Sequence, residues 1–389
     1  MELKKTRILH ISKYYYPFLG GTEQVARDIV QAMIGTGAEQ KVICFNEDAT
    51  DGKVTCNHGE TVTDLVDDID VVRCGYSLKL SSQALSLTYG RELKKIMTEF
   101  KPNVVILHYP NPFVTHYLMK YKEEDFKLLV YWHLDITKQS YLKHLFHKQN
   151  LDLIGRADKI LGATPKHLNE SFFTPQFGDK KYILPYMIDE NSLVMTEAEI
   201  QEGNRIKEKY KGKTLGFFIG RHVPYKGLEY LIKASNQLGD NDIHFLIAGS
   251  GELTDQLKEQ AKNDSKVEFL GRITNSQRRS FLYACDIVCF PSITRNEGFG
   301  LALAEGMYFG RPAVTFTIPG SGVNYVNIDG KTGIECPNCD YKAYADALKE
   351  LCENSSLREQ YGNNARNRVL ENFTSKKFKE NCVNLIKAL

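Results

Sequence analysis

The chain has 389 residues, 42% of them hydrophobic and 25% charged, a globular composition on a length that suits two domains better than one. Lysine and arginine number 50 against 48 aspartate and glutamate, and the balance holds along the chain, 24 against 24 through residue 190 and 26 against 24 beyond it. Neither half has the basic excess of a nucleic-acid binder, and no stretch approaches the roughly 18 apolar residues of a membrane-spanning helix.

The opening MELKKTRILHIS mixes charge with a short apolar run. It is too short in apolar length for a signal peptide and predicts a first strand over Thr6–Ser12. Pro17-Phe-Leu-Gly20-Gly21-Thr22-Glu23 follows and leads into a helix predicted over Glu23–Ile34. Two glycines at a helix start let backbone N–H groups approach an anion, and Thr22 is expected to cap the helix. A plain capped turn is the alternative, and G-x-G-x-x-G is absent here. Further buried strands are predicted over Lys41–Phe45, Val71–Cys74, Val104–Tyr109, Leu128–His133, Lys159–Ala163 and Tyr182–Leu184. The D-x-D at Asp68-Ile69-Asp70 stands before a strand, so no metal-binding carboxylate pair is expected at a strand end. His108-Tyr-Pro-Asn111-Pro112 and Trp132-His133-Leu134-Asp135 both end strands. Tyr141–Lys148 interleaves basic and apolar residues, as a solvated helix face or a membrane-surface helix would.

The pattern pauses at Pro185–Thr196, which is taken as the domain boundary. It gives a first domain over 1–190, rejoined by a final helix at 376–389, and a second over 191–375. In the second set the strands are predicted over Leu215–Gly220, His244–Ala248, Val267–Leu270, Ile287–Phe290, Ala313–Phe316 and Gly333–Cys336. Amphipathic helices fall between them at Leu228–Leu238, Ser276–Ala284 and Tyr341–Cys352. Short buried strands alternating with helices predict doubly wound parallel sheets covered on both faces. In such sheets ligands sit beyond the carboxyl ends of the strands.

Two loops at such ends hold the chemistry. Gly220-Arg221-His222-Val-Pro-Tyr225-Lys226-Gly227 sets two cations at a helix start, a clamp for a diphosphate; a solvated basic loop is the alternative. In Glu297-Gly-Phe299-Gly300-Leu301-Ala-Leu-Ala-Glu305 one glutamate precedes a helix and the other lies two turns inside it. At ~1.5 Å of rise per residue the carboxylates are on the order of 10 Å apart. That spacing suits two hydroxyl-bearing ends of one ligand, with a diphosphate at the backbone of Phe299–Leu301. A helix-terminal glutamate plus a structural ion pair is the alternative. Nine scattered cysteines argue against a disulfide framework and for a reducing, cytoplasmic compartment. Cys336-Pro-Asn-Cys339 is read as a strand-edge loop, with a metal or redox pair as the alternative.

E-x7-E with G-F-G-L, preceded by G-R-x4-K-G, resembles the retaining family-4 glycosyltransferases of the GT-B fold. The resemblance extends to Ala248–Glu252, Phe269–Arg272 and Gly310–Val314 and covers nearly the whole chain. It implies two Rossmann-like domains facing across a cleft. It implies that Arg221 and Lys226 bind the donor diphosphate, Glu297 sits by the donor sugar, and Glu305 holds the ribose hydroxyls. Gly20, Gly21 and Gly220 would touch the donor phosphates, and Arg272 and Ile273 the base through backbone. It also places His133 near the donor sugar. Trp132–Gln139 is similar to a W-H-S-D-I-x-K-Q stretch of bacterial mannosyl- and rhamnosyltransferases of surface polysaccharides, with Leu134 in place of serine. His108, Asn111 and Asp135 are candidates for the acceptor side.

The function expected is retaining transfer of a hexose, with mannose from GDP-mannose favoured, to a glycan or lipid-linked glycan. No metal and no cofactor is expected, since cationic side chains and helix dipoles serve the leaving group. Peripheral contact with the inner face of a membrane and closure of the two domains around the donor are further expectations. A UDP-sugar-dependent enzyme of the same fold, a GT-B-like epimerase or phosphorylase, and an inactive sugar-binding subunit are the alternatives.

Overall fold

The computed structural model describes residues 3–18, 20–53, 56–76, 78–80, 83–135, 146–239 and 242–389. It divides into two compact units, Met1–Pro185 with Phe378–Leu389, and Tyr186–Lys377.

The first unit contains β1 (Arg7–Ile11), β2 (Glu39–Phe45), β3 (Val62–Val66), β4 (Ile69–Cys74), β5 (Leu78–Leu80), β6 (Gln83–Leu85), β7 (Val104–Tyr109), β8 (Lys127–Trp132), β9 (Lys159–Gly162) and β10 (Lys181–Ile183). Eight of these form one sheet in the order β10-β9-β8-β7-β1-β2-β4-β3, and β5 pairs with β6 apart from it. The doubly wound parallel sheet expected from the sequence is present, with one departure. Edge strand β3 runs antiparallel to β4 across a turn at Asp67 and Asp68, whose φ angles are 51° and 61°. Aspartate tolerates that left-handed region better than most residues. Every residue of β7 is buried, as a central strand with covered faces requires.

Leu9, Ile11, Leu107, Val130 and Trp132 face one core with Tyr89 and Leu93 of the helix Tyr89–Glu99. Val42, Cys44 and Val71 face the other, with Ala26 and Val30 of the helix Gly21–Met33. The last helix, Ser375–Lys387, buries Phe378, Cys382, Leu385 and Ile386 at i, i+4, i+7 and i+8, one helical stripe. Cys382, Leu385 and Ile386 lie with Ile29, Met33, Ile106 and Leu129, and Lys379 Nζ donates to the Ile34 carbonyl at 2.9 Å. Arg73 is only 1% exposed; its guanidinium pairs with Asp64 and donates to the carbonyls of Tyr15 and Tyr16. It thereby fixes the loop that leads from β1 towards Gly20.

The second unit contains β11 (Thr214–Ile219), β12 (Ile243–Ala248), β13 (Val267–Gly271), β14 (Ile287–Phe290), β15 (Ala313–Phe316) and β16 (Gly333–Cys336), all parallel in the order β13-β12-β11-β14-β15-β16. Strand order reverses between β1 and β7 in the first sheet and between β11 and β14 in the second. At such a reversal the connections leave to opposite faces, and the crevice beyond the carboxyl ends is where ligands bind in open parallel sheets.

Candidate functional site

In the second unit the chain leaves β11 through Gly220 and Arg221, and Val223 leads into a single turn of tight helix at Pro224–Lys226. Gly227, at φ 62°, then caps the helix Leu228–Gln237. A Cβ on Gly227 would strike the Pro291 carbonyl just after β14, so the two strand ends are closely apposed. The Ile293 N–H donates to the Tyr225 carbonyl at 2.9 Å and joins the same loops. Through that apposition Lys226 Nζ reaches Glu297 Oε2. Both side chains are 12% exposed. Ser292 Oγ donates to the same oxygen at 3.1 Å, and the Lys226 ammonium stands 5.2 Å from the centre of the Phe290 ring. Arg221 is exposed, and its Nη2 donates to the Tyr225 hydroxyl at 3.3 Å.

Glu297 is held from behind as well, since the Ser321 hydroxyl donates to its carbonyl and Gly322 N–H to the Gly298 carbonyl at 3.0 Å. Gly300, at φ 90°, opens the helix Leu301–Tyr308. The Phe299 ring is buried against Tyr186 and Phe373, with centroids 5.4 and 5.3 Å away, while Leu301 is exposed. Glu305, in that helix, receives Arg278 Nη1 on both carboxylate oxygens, at 2.9 and 3.0 Å. Burial raises the Glu305 carboxyl above its ordinary range, and the Arg278 guanidinium opposes that shift. Arg272 is exposed with its Nε on Ser250 Oγ at 2.8 Å, and Ile273 beside it is half-buried.

In the first unit Gly20 is the extended residue ahead of the helix Gly21–Met33. The expected Thr22 cap is not formed, because Thr22 already lies inside the helix. Its hydroxyl donates instead to Glu23 Oε2 at 2.7 Å. A Cβ on Gly20 would collide with that carboxylate, whereas one on Gly21 would meet nothing within 4 Å. An acidic side chain therefore sits at this helix start, where the backbone dipole favours it.

His108, in β7, and His133, just past β8, are both buried. Their Nδ1 and Nε2 atoms lie 3.0 Å apart, and the rings stack with each other and with Tyr131. The His133 N–H donates to the Tyr109 carbonyl at 3.1 Å. Burial lowers His108 to about 3 and takes His133 well below the ordinary histidine range, with the neighbouring His108 and His167 adding to the latter. Asp135 accepts from Trp132 Nε1, Ser171 Oγ and the Phe172 N–H, each at 2.8 Å, and so ties the end of β8 to a later turn. Asn111 is fully buried, and neither polar atom of its side chain has a hydrogen-bond partner among the described residues.

The structure thus brings Lys226 to Glu297 and His108 to His133. It gives Glu305, Arg221, Arg272 and Asp135 partners that sequence reading did not single out, namely Arg278, Tyr225, Ser250 and Ser171. Tyr225 shares a loop with Arg221, whereas Arg278 lies in the helix Asn275–Ala284, Ser250 follows β12 and Ser171 precedes the short helix Thr174–Phe177, and no spacing in the chain marks these three. Ile136–Gln139 and the first five residues of Tyr141–Lys148 lie outside the described residues. No helix among the described residues is long and apolar enough to cross a membrane. All nine cysteines are free thiols; Cys336 is buried at the end of β16 and Cys339 exposed. Among the described residues Glu47, Asp48 and His58 bring ligand atoms within 4.8 Å of one another. These groups already satisfy each other, with His58 Nε2 on Asp48 at 3.1 Å and Nδ1 on the Tyr76 hydroxyl at 3.1 Å.

Residues 199–368 match the family described as glycosyl transferases group 1, and residues 19–170 match glycosyltransferase family 4. An O-antigen chain mannosyltransferase C of Escherichia coli is 28% identical over 386 residues, 98% of this chain and 98% of that protein. The D-rhamnosyltransferase WbpZ of Pseudomonas aeruginosa is 29% identical over 374 residues, 95% of this chain and 92% of its own. The crystal structure of Anabaena HepE in complex with UDP superposes with a TM-score of 0.76 at 16% identity, over 99% of this chain and 100% of that one. The fold is GT-B, as the sequence led us to expect.

Proposed function

The chain belongs to the glycosyltransferases, with a family 4 region over 19–170 and a group 1 region over 199–368, and on that premise we propose that it moves a hexose from a nucleotide sugar to a glycan or lipid-linked glycan acceptor in polysaccharide biosynthesis. Mannose from GDP-mannose is the favoured donor, and the anomeric configuration is retained. The observation that carries this reading is the meeting of Lys226 and Glu297 where strand order reverses between β11 and β14, with Arg221 on the same loop. The two relatives that span nearly the full length are named for mannosyl and rhamnosyl transfer and support the sugar class.

In the proposed chemistry the bond from the anomeric carbon to the diphosphate oxygen breaks, and the diphosphate gains negative charge as it leaves. Arg221 and Lys226 stabilise that charge more in the transition state than in the ground state, which is what lowers a barrier. Glu297, held by Lys226 and Ser292, takes the donor sugar hydroxyls, and Glu305 takes the ribose. Gly220, Phe299, Gly300 and Leu301 line the phosphates, and Arg272 and Ile273 the base. His108, Asn111 and Asp135 belong to the end of the first sheet from which the acceptor hydroxyl approaches. That hydroxyl attacks from the face the diphosphate leaves, and its proton passes to the departing phosphate oxygen. We place the protein in the cytoplasm, at the inner face of a membrane when its acceptor is lipid-linked.

A thermal-shift screen across UDP-, GDP-, ADP- and dTDP-sugars tests the donor. A ligand at a hundred times its Kd that binds only the folded state adds about 2.7 kcal/mol of stability. GDP-mannose is expected to give the largest rise in Tm, followed by transfer with an α-linked product seen by NMR. A rise with UDP-sugars alone would replace the donor. No rise with any nucleotide sugar would remove the reading.

Turnover is expected to survive exhaustive chelation, because two side-chain cations stand where a divalent ion would otherwise balance the diphosphate. Activity lost in EDTA and restored by one particular divalent ion would contradict this.

A further inference from the structure

Two neighbouring arginines in the helix Asn275–Ala284 turn to different partners. The helix begins directly after Arg272 and Ile273, on a Thr274 cap closed in both directions. The Thr274 N–H donates to Gln277 Oε1 at 2.9 Å and the Gln277 N–H to Thr274 Oγ1 at 3.2 Å. Arg279 pairs with Glu199 and donates to the Ser192 carbonyl at 3.0 Å, while Ser280 Oγ donates to the Glu199 carbonyl at 3.0 Å. That side of the helix is therefore fastened to the helix Glu197–Lys209. Successive residues of an α-helix point roughly 100° apart. Arg278 turns accordingly to another neighbour, Glu305 of the helix Leu301–Tyr308, and its Nη1 bridges both carboxylate oxygens at 2.9 and 3.0 Å.

Glu305 is the one charged residue of Leu-Ala-Leu-Ala-Glu-Gly-Met-Tyr. Apolar side chains in place of a largely buried ion pair commonly give equal or greater stability, so stability is a weak reason for this pair. The two side chains are 22% and 17% exposed, which leaves the pair open to a ligand. An ionised carboxylate accepts at about four lone-pair sites, and the Nη1 bridge engages one on each oxygen. Each oxygen can accept once more, and two adjacent hydroxyl groups match that pair of sites. A protonated carboxyl would offer a donor at one of them and lose the match. Burial pushes the Glu305 carboxyl towards that form, and the Arg278 guanidinium opposes it.

We propose that Arg278 is a positioning residue for the nucleotide, holding Glu305 as a two-oxygen acceptor for the 2′- and 3′-hydroxyls of the donor's ribose. This rests on the reading of Glu305 as the ribose contact. The helix that carries Arg278 starts where the base is proposed to lie, and the ribose is bonded to the base. The site thus selects a ribonucleotide through a cation that acts by way of Glu305.

Isothermal titration of the full chain with GDP and with 2′-deoxy-GDP reads the ribose contact as a ratio of affinities. UDP and 2′-deoxy-UDP serve in the same way for a uracil donor. Wild type is expected to favour the ribonucleotide about 10- to 100-fold, and Glu305→Ala to bring the ratio close to one. Arg278→Met and Arg278→Gln both remove the charge. Each is expected to lower the ratio to about threefold or less, with the affinity for the deoxynucleotide changed by less than about threefold. A purely structural Arg278 would weaken both nucleotides alike and leave the ratio where it was. Arg278→Lys, which keeps a charge beside Glu305, is expected to retain much of the preference. If one neutral variant does not fold, the other is read in the same way. An unchanged ratio in a folded neutral variant overturns the role of Arg278 and leaves Glu305 at the ribose. No ribose preference in wild type overturns both roles. No binding of any nucleotide removes the proposed function, and this inference with it.

Discussion

Arg221→Ala and Lys226→Ala are each expected to lower kcat/KM by roughly 30- to 900-fold, equivalent to ~2–4 kcal/mol of lost transition-state stabilisation. The two differ in what else they should do. Arg221 is exposed, and its guanidinium donates to the Tyr225 hydroxyl on the same loop, so its removal should leave stability within about 0.5 kcal/mol of the parent. Lys226 is the partner of a mostly buried carboxylate, and without it the Glu297 carboxylate keeps, among the described residues, only the Ser292 hydroxyl. Removing one half of such a pair leaves an uncompensated charge, so Lys226→Ala should also lower Tm. Kinetics corrected for the folded fraction by circular dichroism separate the two effects. The double variant should lose less than the product of the single losses if both cations act on one diphosphate. Near-normal kinetics in the double variant would remove both residues from the site.

Gly249→Ala is expected to destabilise the second unit by ~3 kcal/mol or more. Gly249 follows β12 at φ 120°, and a Cβ there would run into the Gly220 carbonyl. The obstacle is backbone, so no side-chain rotation relieves it. The strand ends cannot simply part either, because Gly249 N–H donates to the Gly271 carbonyl at 2.7 Å and Gly220 N–H to the Ala248 carbonyl at 3.1 Å. Gly220 leads directly into Arg221, so activity should fall with stability. Trp132 is the only tryptophan and lies in the first unit, so fluorescence would miss the change. Hydrogen exchange of β11 and β12 is the suitable measurement, with faster exchange expected in the variant. Gly155→Ala is the control: it lies in the helix His147–Arg156, nothing stands within 4 Å of the new Cβ, and a gain of about 0.5–1 kcal/mol is expected. Wild-type exchange in Gly249→Ala would mean that the three strand ends adjust more freely than their hydrogen bonds suggest.

The sequence by itself determined the fold class and most of the strands. Ile287–Phe290 and Ala313–Phe316 were predicted with the bounds they have, because a strand buried on both faces is a short apolar run cut off by polar turns. Val62–Val66 was missed, since an edge strand exposing alternate residues has no such run. Sequence also placed the charged and glycine-rich loops after strands, where a doubly wound sheet gathers its ligand residues. What it could not give was the partner of each residue. Lys226 and Glu297 are 71 positions apart and meet only because β14 inserts beside β11; Glu305 finds Arg278 and His108 finds His133 across loops of similar independence. Strand order is decided by how whole βα units pack on one another, a non-local balance of burial that no local spacing records. The protonation of the buried histidines and the ion pair between Lys226 and Glu297 follow from that packing, and so only the tertiary structure decided them.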